Sequence, residues 1–187
     1  MPREWPERAV WQRGLPELVS PRVRLREVCA DDAPDLYEQL TAPEVIEFVP
    51  PPPATVEGFE RFAAWAREGR ACGSQLCFSV VSVDDARASG IMAFQLPPPG
   101  YDLWNWGFAL GMRSWGKGIF REAAALALGF AAEHMGLDEV EAWILHANGR
   151  ANSAVSKLGA VPTFIPDAHA PDGRTGDFMR WTVKTSR

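Results

Sequence analysis

The chain has 187 residues, of which 47% are hydrophobic and 23% are charged. These values are typical of one globular domain and exclude an intrinsically disordered chain. The net charge of −5 and the isoelectric point near 5.3 argue against a nucleic-acid-binding surface spread over the whole chain.

The opening residues MPREWPERAVWQRG carry several charges and no apolar run, so we expect no signal peptide. No window approaches the roughly 18 uninterrupted apolar residues of a membrane span, so we expect no membrane association. Cys29, Cys72 and Cys77 form no CxxC pair and are odd in number. They predict reduced thiols, no metal site and a cytoplasmic location.

The predicted elements begin with an irregular arm over residues 1–19, whose Trp5 and Trp11 dock on the body. The body of the domain follows over residues 20–184. Residues 22–28 alternate polar and apolar side chains and predict a half-buried strand. Asp31, Asp32 and Pro34 then form a signal for the start of a short helix.

The four prolines at 50–53 exclude both helix and central strand and predict a rigid connector. Thr55 is placed to cap a helix whose apolar residues recur at helical spacing. Further helices are predicted over residues 120–135 and 152–158. The remaining strands are predicted over residues 75–83, 90–96, 104–112, 139–145, 161–165 and 178–183.

Strands on both sides of the long apolar helix at 120–135 predict one βαβ crossover. The predicted fold class is therefore α+β, with a mixed, mostly antiparallel central sheet flanked by helices.

Residues 113–118, RSWGKG, lie between a predicted strand and a predicted helix. A P-loop would require a hydroxyl residue after Lys117, and a dinucleotide fingerprint would require a third glycine where Arg121 stands. The remaining pattern is R-x-x-G-x-G. Glycines allow close approach of the backbone, and the free N–H groups at a helix N-terminus favour an anion. The pattern predicts a diphosphate site, although a glycine-rich turn with solvated basic side chains also accounts for it.

RSWGKG resembles the Q/R-x-x-G-x-G/A motif of the GNAT superfamily of acyl-CoA-dependent N-acetyltransferases, in the family's position between a strand and a helix. NGRANSAVSKLGA, residues 148–160, is similar to the family's N-x-x-S-x-x-x-x-x-K-L-G-F segment, with alanine at Ala151 and Ala160 where serine and phenylalanine are usual. SPRVRLREV, PEVIEFVPPPP and DGRTGD resemble the branch of ribosomal-protein alanine N-acetyltransferases. The resemblance covers about residues 20–184.

The resemblance implies that acetyl-CoA is the cosubstrate and an amine the acceptor. Main chain around Leu110–Met112 would pair with the pantetheine arm, and Asn148 would hydrogen-bond the same arm from the neighbouring strand end. Amides of residues 113–119 would hold the diphosphate. Phe108 N–H would bind the thioester oxygen, and a bulge at Gly107 would free this N–H from the sheet. Lys157 either reaches the nucleotide or is a surface lysine. The implied cofactor-binding residues are Leu110, Met112, Arg113, Trp115, Gly116, Lys117, Gly118, Ile119, Asn148 and Lys157.

The general base is missing from the position that the resemblance implies. Asn105 stands where many relatives carry glutamate. Val155 stands where some relatives carry a tyrosine that acts as the general acid. His146 is the alternative base, or a partly buried histidine at a strand end. Asp177 either orients the amine or holds the last hairpin.

The lack of an evident base favours a weakly basic nucleophile. Deprotonating an α-amino group at pH 7 costs about 1 kcal/mol, whereas deprotonating a lysine side chain costs about 4.6 kcal/mol. We therefore expect direct acetyl transfer in a ternary complex to a primary amine such as a protein N-terminus. A small-molecule amine and a non-catalytic acyl-CoA sensor are the alternatives. The apolar arm and the Trp-rich segments point to a homodimer.

Overall fold

The computed structural model describes residues 9–84 and 86–185. The described chain forms one sheet with eight strands. The strands are β1 (Leu18–Val19), β2 (Val23–Glu27), β3 (Gln75–Ser82), β4 (Ala88–Gln95), β5 (Asn105–Leu110), β6 (Glu139–Leu145), β7 (Val161–His169) and β8 (Thr175–Lys184). The α-helices are α1 (Val10–Arg13), α2 (Ala33–Leu40), α3 (Pro43–Ile46), α4 (Val56–Cys72), α5 (Ile119–His134) and α6 (Gly149–Ser156).

The strand order is β1-β2-β3-β4-β5-β6-β8-β7, and β5 and β6 are the parallel neighbours in the described sheet. The other neighbouring strands run antiparallel. Helix α5 connects β5 to β6, as expected for a crossover between parallel strands. The predicted mixed, mostly antiparallel sheet flanked by helices and its single βαβ crossover are confirmed.

Helix α5 covers one face of the sheet and is rich in alanine. Ala123, Ala124, Ala127 and Ala131 are fully buried. Such small side chains bring the helix axis close to the strands, and larger rings fill the space around them. Phe130, for example, meets Phe78 of β3 edge-on, with 5.2 Å between ring centroids. This face therefore forms an apolar core between α5 and the strands of the sheet.

Helices α2 and α4 cover the opposite face. Thr55 caps α4, because its Oγ1 accepts a hydrogen bond from Gly58 N–H at 3.0 Å, and Gly73 ends the helix with a φ of +81°. Phe59 and Ala63 of α4 pack with Leu36 of α2 in a second core cluster. The proline segment at 50–53 runs between these helices without regular structure, as predicted.

The irregular arm prediction is corrected within residues 10–19, where α1 and β1 form. Trp11 is buried and meets Trp104 edge-on at 6.3 Å, which confirms its docking. Trp5 lies outside the described residues. Because Trp11, Trp104 and Trp106 are buried within their own chain, they no longer argue for a dimer, which stays a prediction.

Several element boundaries differ from the predictions. Strand β5 ends at Leu110, because Met112–Ser114 form a 3-10 turn. Helix α6 begins at Gly149, earlier than the predicted residue 152, because Asn148 caps it. Strands β7 and β8 are each longer than predicted, and their added residues extend the final hairpin.

The described cysteines are free thiols. Within the described ranges, no helix combines the length and the apolar character needed to cross a membrane. The cytoplasmic location stays a prediction.

Candidate active site

The centre of the sheet contains a gap between β5 and β6. Among the described residues, these strands share one register pair, Asn105 opposite Glu141. The Glu141 N–H donates to Trp104 O at 3.0 Å, which joins the two strands at the start of β5. Beyond this point each strand continues for several residues without pairing to the other. The strands therefore diverge and leave polar main chain exposed at the gap.

The edge of β5 that faces the gap presents the main chain of Phe108 and Leu110. Gly111 N–H donates to Ser89 O on the β4 side. Because N–H directions alternate along a strand, Ala109 and Gly107 also face β4, and Phe108 and Leu110 face the gap. Leu110 O accepts from Trp115 Nε1 at 2.9 Å, whereas Phe108 N–H points into the diverging space.

The predicted bulge at Gly107 is wrong. The register between β4 and β5 is uninterrupted from Gly90 opposite Leu110 to Gln95 opposite Asn105. The Phe108 amide is exposed because β6 diverges, and no extra residue in β5 is needed.

The turn after β5 forms a cradle of main-chain amides at the start of α5. Gly116 and Gly118 adopt positive φ angles of +72° and +79°. Gly118 is the N-cap residue, and no side chain caps the helix. A positive-φ turn followed by the uncapped first turn of a helix forms a concave anion site.

The amides available in this cradle differ from the predicted range 113–119. Ser114 N–H donates to Gly111 O, and Trp115 N–H donates to Met112 O, so both are engaged within the 3-10 turn. The first helical bond runs from Glu122 N–H to Gly118 O. The cradle therefore consists of the amides of residues 116–121.

Arg22, which directly precedes β2, holds this turn from outside. Its Nη1 donates to Lys117 O at 2.9 Å, and its N–H donates to Glu122 Oε2 at 3.0 Å. Ser20 Oγ also donates to Glu122, at 2.6 Å. Hydrogen bonding by Ser20, together with Arg22, lowers the pKa of Glu122. The first acidic side chain of α5 therefore stays ionised, and the charge of Arg22 balances it beside the cradle.

A cleft of about 390 Å³ runs from the cradle to the gap. Its cationic lining residues are Arg121, Arg150 and Lys157, and Trp115 forms part of its wall. The predicted site residues that line it are Phe108, Leu110, Trp115, Gly116, Gly118, Asn148 and Lys157. We call this space the first cleft.

Other predicted residues lie outside this lining. The Arg113 side chain is paired with Glu38 of α2 at 2.8 Å. Met112 and Lys117 are exposed, and Ile119 is buried in the core beneath the sheet. Ile119 therefore contributes its main-chain N–H to the cradle, whereas the Arg113 side chain is turned towards Glu38. Their roles in binding stay predictions.

Asn148 caps α6 and faces the gap from the other side. Its Oδ1 accepts from Ala151 N–H at 3.1 Å. Asn152 anchors the same helix: its Oδ1 accepts from Trp181 Nε1 at 2.8 Å, and its Nδ2 donates to Leu145 O at 3.0 Å. The start of α6 is therefore held firmly, and the side-chain nitrogen of Asn148 remains to bind a ligand.

A second cleft, of about 580 Å³, lies on the α4 face of the sheet. Phe108, Ala109, Asn148 and Ala151 line both clefts, so the two meet at the gap. Much of the second lining is aromatic or proline. These residues are Phe48, Pro50, Pro51, Pro52, Pro53, Phe59, Phe62, Trp65, Trp106, Phe108, Trp143 and Pro171. Its polar residues include Gln75, Gln95 and Asn105.

Of the candidate acid and base positions, only Asn105 lines one of the two clefts among the described residues. Asn105 lines the second cleft. His146 is exposed and its ring lies 5.1 Å from that of Phe164, outside both linings. Val155 is fully buried in the core. Asp177 accepts from Asp167 N–H at 3.1 Å, which favours its role in holding the last hairpin. His146 as a base stays a prediction that this position does not support.

The first cleft fits a coenzyme A thioester in the groups that it offers. A side chain at Gly116 would meet no protein atom within 4 Å, so the space over its backbone is open to a ligand. The uncapped amides and three cationic side chains suit phosphates. No group of three or more metal-ligating side chains occurs in the ranges that the structure describes.

A split central sheet, an anion cradle at a helix start and a second cleft meeting the first define an acyltransferase that uses a coenzyme A thioester. Residues 22–161 match the acetyltransferase (GNAT) domain family. The chain belongs to this family, and it is an N-acetyltransferase.

Solved structures with the same fold include three informative neighbours. Ribosomal-protein-S5-alanine acetyltransferase from Vibrio fischeri is 16% identical, with 92% of this chain and 98% of that chain covered and a TM-score of 0.77. A GCN5-related N-acetyltransferase from Brucella melitensis is 19% identical, with coverage of 96% and 80% and a TM-score of 0.74. Mycobacterium smegmatis RimJ in complex with CoA-disulfide is 19% identical, with coverage of 87% and 81% and a TM-score of 0.74. No curated protein matches the sequence.

Sequence reasoning missed two features of the site. Arg150 stacks on Trp115, and Glu141 is buried beside Asn105. Glu141 lies among hydrophobic residues in EVEAWIL, a pattern that predicts a buried strand. A buried glutamate is rare, so this pattern could have identified Glu141 as a candidate. The partner of Arg150 lies more than thirty positions away along the chain, and the local sequence of either residue does not reveal it.

Proposed function

We propose that the chain transfers an acetyl group from acetyl-CoA directly to the α-amino group of a peptide or protein N-terminus. The observation that carries this proposal is the meeting of the two clefts at Phe108 and Asn148. A thioester in the first cleft and an amine in the second would come together at this point. The family relationship supports acetyl-CoA as the donor.

Acetyl-CoA, when bound, supplies an acetyl group already activated as a thioester. The amides of residues 116–121 and the side chains of Arg121, Arg150 and Lys157 are placed to bind its phosphates. Phe108 N–H is the donor for the carbonyl oxygen, which gains negative charge during attack. A preorganised donor of this kind typically contributes about 3 kcal/mol to lowering the barrier.

Direct transfer is favoured over an acyl-cysteine intermediate. Cys77 is the one cysteine among the described residues that line the second cleft. Burial raises the pKa of the Cys77 thiol far above its usual range, and the charges of Asp32 and Glu27 add to this effect. A thiol that stays protonated is a poor nucleophile. The amine itself is therefore the attacking group.

The lining of the second cleft favours a peptide over a polyamine. Asp172 is the carboxylate among its described lining residues, and it is paired with Arg174 at 2.7 Å. Arg174 also donates to Phe48 O at 2.8 Å. The further ammonium groups of a polyamine would find no unpaired carboxylate in this lining. Aromatic rings and amide side chains instead suit an apolar residue and the main chain that follows it.

The test is release of coenzyme A thiol with acetyl-CoA and a panel of short peptides. Peptides with a free N-terminal alanine, serine, methionine or leucine are compared with matched peptides that carry a blocked N-terminus and an internal lysine. Spermidine serves as the polyamine. We expect release with the free N-termini, fastest with one of the apolar first residues. Faster acetylation of lysine or spermidine would overturn the choice of acceptor.

Calorimetry with coenzyme A separates the enzyme from the sensor alternative. Coenzyme A binding combined with no thiol release on any amine of the panel would contradict the proposal and favour a non-catalytic sensor.

A further inference from the structure

A buried carboxyl group lies beside the gap, at the point where β5 and β6 separate. Glu141 is only 5% exposed. It stands opposite Asn105 in the single register pair that joins these strands among the described residues. Its main-chain N–H is bonded to Trp104 O. The backbone of Glu141 is therefore fixed at the base of the gap.

The side chain of Glu141 lies on the face of the sheet that borders the second cleft. Residues paired in register present their side chains on the same face of a sheet, so Glu141 and Asn105 share a face. Trp143 follows two positions later on the same face, and both Asn105 and Trp143 line the second cleft. Trp143 Nε1 donates to Glu141 Oε1 at 2.8 Å. Glu141 thus lies directly behind the wall of the cleft that would hold the amine.

The second carboxylate oxygen of Glu141 is available. Oε1 accepts from Trp143, and no described residue donates a hydrogen bond to Oε2. The charged groups that face this carboxyl are Arg180 of β8 and Asp102 before β5. Burial raises the pKa of Glu141, and Asp102 adds to this rise, whereas the Trp143 hydrogen bond and Arg180 oppose it. A carboxyl whose pKa moves towards neutrality is better suited to exchange protons at physiological pH.

An open position lies next to this carboxyl. Gly107 follows Asn105 by two residues and occupies the same face of β5. A Cβ atom at Gly107 would meet nothing within 4 Å. An amine lying over Gly107 would have Phe108, with its free N–H, on one side and Asn105 on the other. Glu141 would then lie one strand away.

We propose that Glu141 accepts the proton that the acceptor amine must lose, through a water held by the Asn105 side chain. This inference rests on the proposed acetyltransferase reaction. The ammonium nitrogen gives one proton through the water to Glu141 Oε2, and the neutral amine attacks the thioester carbonyl. The C–N bond forms, the C–S bond breaks, and the thiolate takes the second proton that the nitrogen loses. Glu141 then returns its proton to solvent.

A purely structural role for Glu141 requires a different chemical group from proton acceptance. Support of the Trp143 indole requires only a hydrogen-bond acceptor, which a glutamine oxygen also provides. Proton acceptance requires the ionised carboxylate. Glu141→Gln separates the two roles, and Glu141→Asp keeps the carboxylate while moving it. Glu139→Gln is the matched control, since it removes a carboxylate two residues earlier in the same strand, where Glu139 lies opposite Lys184 and lines a separate pocket.

The kinetic arm uses L-alaninamide and hydroxylamine as acceptors with saturating acetyl-CoA. For alaninamide we expect Glu141→Gln to lower kcat by about 100-fold and to remove the acidic limb of its pH profile. We expect a much smaller loss with hydroxylamine, because this weakly basic amine is already neutral. Glu141→Asp should restore part of the rate and the acidic limb. Equal losses for both acceptors, or an unchanged pH profile, would overturn the proposal.

The second arm needs no turnover. Carbon-13 NMR of glutamate carboxyl groups in the protein with coenzyme A should reveal one signal that is lost in Glu141→Gln and retained in Glu139→Gln. We expect this signal to titrate at higher pH than the other glutamates and to shift to lower pH when alaninamide is added. A signal that titrates with the others, or ignores alaninamide, would rule out proton acceptance. The NMR experiment tests proton acceptance by Glu141 without any turnover. A failure to acetylate any peptide would instead count against the proposed function.

Discussion

The guanidinium carbon of Arg150 lies 3.5 Å from the centre of the Trp115 ring, so a residue of α6 and a residue of the turn before α5 meet across the first cleft. Trp115 is itself tied to β5 through its bond to Leu110 O. The stack therefore links the two walls of the cleft and places a cation beside the cradle. Both effects favour a bound anion.

Replacing Arg150 should weaken coenzyme binding. We expect Arg150→Ala to raise the Kd of coenzyme A by about tenfold, since a cation–π pair at an exposed site contributes about 0.5–1 kcal/mol and a positive charge is lost as well. Isothermal titration calorimetry measures the change. Arg61→Ala removes the same charge from an exposed position on α4 and should leave the Kd unchanged. Equal Kd values for the two variants would contradict a role for the stack.

Gly116→Ala should damage the cradle more than the fold. Its positive φ makes any side chain cost about 1 kcal/mol, although the new Cβ meets no protein atom. We expect the Kd of coenzyme A to rise by at least tenfold, because the methyl group occupies the space of the ligand. Gly136→Ala is the control, since it has a φ of +66°, equally open surroundings and a position at the far end of α5. Both variants should lose similar stability, and only Gly116→Ala should lose affinity.

Gly107→Ala should interfere with the acceptor and leave the coenzyme site intact. The added methyl group meets nothing within 4 Å, so the melting temperature should change by no more than a few degrees. The methyl group projects into the second cleft, next to Asn105. We expect kcat/KM for the best peptide of the panel to fall by about tenfold with an unchanged Kd for coenzyme A. Normal peptide kinetics in this variant would place the amine elsewhere.

The Asp32 network should make stability depend on acid pH. Asp32 is 2% exposed, and burial alone would raise its pKa. Hydrogen bonds from Arg26, Ser79 and the Cys29 N–H outweigh burial and lower the pKa. The stabilisation is therefore complete above the unfolded pKa near 3.8 and is lost as pH falls through the lower folded value.

Asp32→Asn tests this network. We expect the variant to unfold at lower denaturant concentration at pH 7, with a loss of about 3 kcal/mol, because Arg26 loses its charged partner. Its stability should no longer fall through the acid range as the wild-type stability does. Urea titrations between pH 2 and pH 7 measure both effects. A variant with the wild-type acid transition would show that other carboxyl groups control it.

Glu141 should affect stability with the opposite sign. Because its folded pKa lies above the unfolded value of 4.5, its contribution is complete below that value and is lost as pH rises through the folded pKa. Glu141→Gln should therefore melt at a higher temperature than wild type at pH 8 and at a similar temperature at pH 4. Thermal unfolding at the two pH values provides the measurement, and a variant less stable than wild type at pH 8 would contradict the raised pKa.

The cradle was predictable from sequence because the glycines and the helix start that form it lie within a few residues. Gly116 and Gly118 adopt left-handed conformations that favour glycine, and the helix start follows them directly. The same locality explains why the Thr55 cap and the buried alanine helix were predicted. The start of α6 was predicted three residues too late, because Asn148 caps the helix and Gly149 begins it.

The amino-acid sequence by itself determined the elements, the class of sheet and the cradle, since backbone preferences and apolar periodicity are properties of short segments. Only the tertiary structure decided that β5 and β6 separate after one register pair, that this separation, without a bulge, frees Phe108 N–H, and that Glu141 lies beside Asn105. The physical reason is that strand register and divergence result from packing the whole sheet between α5 and α4. Residues far apart along the chain become neighbours only through that packing.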